Sequence, residues 1–111
     1  MNIIKATPNL DKKTIYQLTR GADTQPMKSA AGVTLAVEAF AIYEDERADG
    51  KGTTTVTAVK ATDGSLYATN SETFRREFDY ITELMEDEEI SIKVVCGTTK
   101  NDREYVTCTL V

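Results

Sequence analysis

Tyrosine is the side chain through which this sequence offers the most chemistry: there are five Tyr and three Phe, with no Trp and no His. A tyrosine ring on an open sheet, edged by Lys and Arg, can stack on any nucleobase while the cations track phosphates. Tyr105 has outward parity against Val106, Cys108 and Leu110 in an apparent C-terminal strand. Tyr67 follows Leu66, so strand alternation points it outward if Leu66 points in. Tyr43 ends a long apolar run in which alternation does not assign its face. The competing reading of each ring is an amphipathic surface residue that covers a barrel.

Other chemistries are excluded or unsupported. Without His there is no catalytic triad, no His-based zinc site and no imidazole acid/base pair. Gly50-Lys51-Gly52-Thr53 lacks the spacing of a phosphate loop. A calcium loop starting at Asp45 would place Arg47 at a ligand position and Val56 where a bidentate Glu belongs. Cys96 and Cys108 lie in two apparent strands joined by a short turn and read as two buried, reduced thiols. The many carboxylates fall on a helix face with neither burial nor a basic partner. The expectation is a protein that is not an enzyme and carries no metal or cofactor.

The elements that must position these residues follow from pattern. Residues 1–12 read as an arm, and Thr14 to Thr19 as a first strand rich in β-branched and aromatic types, ending at Arg20-Gly21. Residues 21–32 read as a long loop. From Val33 to Glu44 the apolar parity changes midway, which predicts a bulge or sharp bend in a long strand. Residues 45–52 read as a turn and 53–62 as a strand, with Asp63-Gly64 turning the chain into Ser65–Ala68. Thr69 stands three residues before Glu72 in a capping pattern, and Phe74, Phe78, Ile81 and Met85 then form one helical stripe. Two strands, 90–97 and 104–110, close the chain. Five main strands with one helix between the third and fourth is the order of a five-stranded Greek-key barrel, the OB-fold, filling residues 1–111 as one domain. An α+β sheet with the helix on one face gives the same string. The start has no charged leader before an apolar core, and no run approaches membrane-span length, so a cytoplasmic protein with no membrane partner is expected.

The net charge of -5, from 18 acids and 13 bases in 111 residues, first speaks against a polyanionic partner. Its distribution reverses that. Residues 71–89 hold eight acids and two bases, a net of -6, which leaves the rest of the chain near neutrality. Most bases fall in predicted loops and strand ends. In the OB-fold the loops after strands one and four flank the ligand groove, so Arg20, Lys28, Lys100 and Arg103 could border one groove away from the acidic helix end.

The run TVTAVKATDGSLYATNS over residues 55–71, supported by IKVVCGTTKND and the hydrophobic strand that follows it, resembles the small single-stranded DNA-binding proteins of Bacillus phages that replicate linear DNA by protein priming. NIIKAT and the long strand ending AIY match more weakly. The resemblance implies an OB-fold protein that coats displaced strands in the host cytoplasm without sequence preference. Other replication proteins are candidate partners, and a monomer or weak homo-oligomer is expected, a choice that neither the sequence nor the resemblance fixes. It implies binding through tyrosines, two of which fall on Tyr43 and Tyr67, with Tyr105 added by parity. A third family tyrosine has no counterpart, since residues 44–52 contain no aromatic; Arg47 or Lys51 would compensate through phosphate contacts. Arg20, Lys60, Lys100 and Arg103 complete the expected backbone path. The rival reading is an interaction module that binds a basic protein through Glu83, Glu86, Asp87, Glu88 and Glu89.

Overall fold

The computed structural model describes residues 1–47, 49–86 and 88–111. Its centre is a thirteen-residue strand, β3 (Thr34–Glu46). Along one edge β3 pairs antiparallel with β4 (Thr53–Ala61). Its other edge is shared: Thr34–Val37 pair with β6 (Ile90–Thr98), and Ala41–Glu44 with β1 (Asn2–Ala6). The pairing of β3 with β4 slips between Val37 and Ala39, as the parity change predicts. One extra residue there moves the inward set from Leu35 and Val37 to Phe40 and Ile42, and bends the strand so that the sheet curls.

The Asp63-Gly64 turn leads into β5 (Leu66–Thr69), which pairs with β4. Gly64 takes a positive φ of 90°, and Asp63 accepts the Ser65 amide at 2.9 Å, which holds its carboxyl below the usual carboxylate range. A two-residue strand, β2 (Gln25–Pro26), joins β5 in parallel, and a single 3-10 turn over Met27–Ala30 follows it. With β7 (Glu104–Leu110) beside β6, the order is β2-β5-β4-β3-β6-β7, a curled mixed sheet whose ends are not paired to each other among the described residues.

Two helices cover the two faces. Helix α2 (Glu72–Met85) closes the concave side with Phe74, Phe78 and Ile81, and Phe78 meets Phe40 edge-on at 5.2 Å. Burying each such ring stabilises the fold by roughly 1.5–3 kcal/mol. Its cap is Ser71 rather than Thr69: the Ser71 hydroxyl accepts the Phe74 amide, while Thr69 Oγ1 accepts the amide of Ser71. Helix α1 (Lys12–Arg20) lies on the convex side, where Leu18 packs over Ala39, Ala41, Ala58 and Tyr43. The three alanines keep that face shallow enough for a helix to seat.

Helix α1 corrects the expected first strand at Thr14–Thr19, and β1 corrects the expected arm. The β-branched run was outweighed by an Asp11 cap on the Thr14 amide and by a helical spacing that buries Leu18 alone. Among the described residues there are thus two α-helices rather than one, and seven strands where five main strands and a small hairpin were expected. The architecture is mainly β, a half-barrel that resembles the OB-fold in its curl and in having a helix between β5 and β6. Among the described residues no helix is long and apolar enough to cross a membrane.

Candidate nucleic-acid interface

The unpaired ends of the curled sheet face each other across an open cleft of about 850 Å³. One wall comes from Pro26, Lys28, Ala68 and Asn70, the other from Gly97, Thr98, Glu104 and Tyr105. Ser71 spans the cleft's inner end, donating its hydroxyl to the Val106 carbonyl at 2.8 Å. The site is therefore a consequence of topology: β7 is an edge strand, β2 is too short to reach it, and one side-chain hydrogen bond stands where a ladder would close the barrel.

Tyr105 sits opposite Gly97 in the β6–β7 pairing. Its ring lies across the glycine so closely that a Cβ there would fall 2.5 Å from Cζ and 2.7 Å from Cε1. Glycine lets the ring lie flat on the strand, with 37% of the residue still exposed along the cleft. Lys28 is exposed on the opposite wall. Lys100 and Arg103 are exposed in the turn between β6 and β7, directly beyond Thr98 and Glu104 of the cleft. That turn is fixed by the Thr99 amide on the Arg103 carbonyl at 2.8 Å. Neither cation has an ion-pair partner among the described residues. Glu104 is the single acid among the cleft-lining residues.

The other expected residues are not gathered there. Tyr43 is buried beneath α1, its hydroxyl directed at the Thr19 carbonyl at 3.4 Å, and burial raises its pKa above the ordinary tyrosine value, with Asp45 adding to the rise. Tyr67 is half-buried and packs against the inner core, while Leu66 packs under α1. Alternation holds, but the sides are the reverse of the expectation, because both faces of the sheet are covered. Lys60 is tied down at the foot of α1, 3.2 Å from Gln17 Oε1 and 3.6 Å from Glu38. Arg20 ends α1 in solvent. Arg47 pairs with Asp49 at 3.0 Å in the exposed turn that also carries Lys51, away from the cleft walls.

Of the acidic set, Glu83, Glu86, Glu88 and Glu89 are exposed, and Asp87 lies outside the described residues. Glu83 reaches Lys5 at 4.0 Å, at the margin of Lys5's shorter contact with Asp79. Cys108 is buried, but Cys96 is exposed and lines the cleft, which corrects the expectation of two buried thiols. Tyr16 is exposed on α1, and its i, i+4 spacing from Lys12 and to Arg20 is a signal that the strand reading concealed.

The family model described as phage single-stranded DNA-binding protein matches residues 2–111. The chain belongs to that family. No curated protein and no solved structure gives a match. As a member of the phage family, the chain has single-stranded DNA as its partner and DNA replication as its setting.

Proposed function

We propose that the chain, as one OB-type domain over residues 1–111, coats displaced single strands without sequence preference, with bases entering the cleft between the sheet's ends. Tyr105 stacks on a base there. Lys28 on one wall and Lys100 and Arg103 at the hairpin tip neutralise phosphates along the same path. The observation that carries this reading is the Tyr105 ring, laid over Gly97 and partly exposed in a cleft with Lys28 on one wall and Lys100 and Arg103 beyond the other. Tyr67 acts from behind as core support. Tyr43, whose ring has no open face, is a structural residue under α1.

Titration with oligo-dT at low salt, followed by tyrosine fluorescence, tests the reading. Quenching is expected, and Tyr105→Ala should weaken binding by about 1–3 kcal/mol, the worth of one stacked base. Tyr43→Phe should bind as the parent does. Absence of quenching, or parental affinity in Tyr105→Ala, overturns the assignment.

A further inference from the structure

The convex face of the molecule carries a second surface with the same chemistry. Helix α1 buries a single residue, Leu18, and turns Lys12, Lys13, Tyr16 and Arg20 outward, all exposed. Lys12, Tyr16 and Arg20 stand at i, i+4 and i+8, so they form a stripe along one side of the helix with about 6 Å between successive residues. Tyr16 is 64% exposed, the most open of the tyrosines. No acid lies within α1, and Asp11 before it is engaged in capping the Thr14 amide. None of the three cations has an ion-pair partner among the described residues.

Folding accounts for only part of this face. Arg20 suits the C-terminal end of the helix, but Lys12 stands at the N-terminal end, where the helix dipole disfavours a cation, and an exposed mid-helix tyrosine is a weaker helix former than Ala. The underside, by contrast, is firmly seated through Leu18, the Lys60 contact with Gln17 and the Tyr43 hydroxyl on Thr19. The stripe is thus held on a fixed base. From Arg20 the chain needs only eight residues, at most about 28 Å, to reach Lys28 on the cleft wall.

We propose that the exposed face of α1 is a second contact for single-stranded DNA, with Tyr16 stacking on one base and Lys12, Lys13 and Arg20 neutralising the phosphates around it. The inference rests on the reading of the chain as a single-strand coat. Its occupant follows from the pairing of cations with an open aromatic ring: phosphate meets the charge, and an unpaired base meets the ring.

The experiment measures binding of end-labelled dT20 by anisotropy across a salt series. It uses the full chain and the variants Tyr16→Ala, Tyr16→Phe and Lys12→Gln/Arg20→Gln, each checked for parental circular dichroism. Tyr16→Ala should lose about fivefold in affinity, and Tyr16→Phe should retain it. Lys12→Gln/Arg20→Gln should flatten the slope of log affinity against log salt by about 1.4, at roughly 0.7 per phosphate contact. Parental affinity in Tyr16→Ala, or a parental slope in the double variant, overturns the inference while leaving the cleft reading intact. An equal loss on a 20-base-pair duplex also overturns it, by making the stripe a general polyanion surface. If the parent itself fails to bind dT20, the single-strand reading falls first.

Discussion

One small residue, Gly97, decides how the cleft presents the Tyr105 ring. Because a Cβ at Gly97 would overlap the Tyr105 ring, Gly97→Ala should push the ring off the strand and weaken oligonucleotide binding. The displaced group is the end of a partly exposed side chain, so the melting temperature should fall by only a few degrees. Comparing titration with thermal unfolding separates the two effects. The two cysteines differ in their surroundings. Cys96 is exposed at the cleft, whereas Cys108 is buried and its pKa is pushed up to about 12, by burial first and by the Glu77 carboxylate second. One thiol per native chain should react with an alkylating reagent, and bound oligonucleotide should slow that reaction. Below about pH 9 folded and unfolded chains both hold the Cys108 proton; between 9 and about 12 only the unfolded chain releases it. Stability should therefore fall as pH rises through that interval, and Cys108→Ala should flatten the decline in urea titrations.

At the scale of elements, Ser71 does two tasks with one hydroxyl. It accepts the Phe74 amide as the cap of α2 and donates to Val106 across the sheet's open end. Removing it should cost about 1–2 kcal/mol in cap energy alone. Ser71→Ala should therefore melt several degrees lower, with faster amide exchange along β7 than along β4. Most of these elements were legible from pattern, since long strands, an Asp-Gly turn and the stripe from Phe74 to Met85 are local signals. The bulge in β3 was legible too, because Leu35 and Phe40 can share one core only if the register slips between them. Helix α1 was not. Thr14, Ile15, Tyr16 and Thr19 have the propensity of a strand, and the Asp11 cap together with burial of Leu18 against Ala39, Ala41 and Ala58 makes a short helix the better solution. Reading that segment as a strand hid the exposed face of Tyr16, and it left the face of Tyr43, which α1 covers, unassigned by alternation; the stacking role of Tyr43 came from the resemblance alone.

For the molecule as a whole, the net charge of -5 is a sum over regions of opposite sign. Helix α1 carries three bases and no acid, while residues 71–89 carry -6. A single strand bound along α1 and the cleft would feel local attraction together with a longer-range repulsion from the end of α2. The two respond differently to salt, because contact pairs release counterions while distant exposed charges are screened beyond about 8 Å at physiological ionic strength. Neutralising Glu86, Glu88 and Glu89 to Gln should therefore raise the association rate with oligo-dT several-fold at low salt. At 0.15 M salt and above, the variant and parent should converge. Stopped-flow association at two salt concentrations checks this. A persistent difference at high salt would mean that these carboxylates touch the strand, and lost DNA affinity in the neutralised protein would mean that the acidic end supports the site directly. The interaction-module reading, which uses Glu83, Glu86, Asp87, Glu88 and Glu89 for a basic protein partner, makes a different demand: it predicts no oligonucleotide binding, and loss of that partner when residues 86–89 are neutralised.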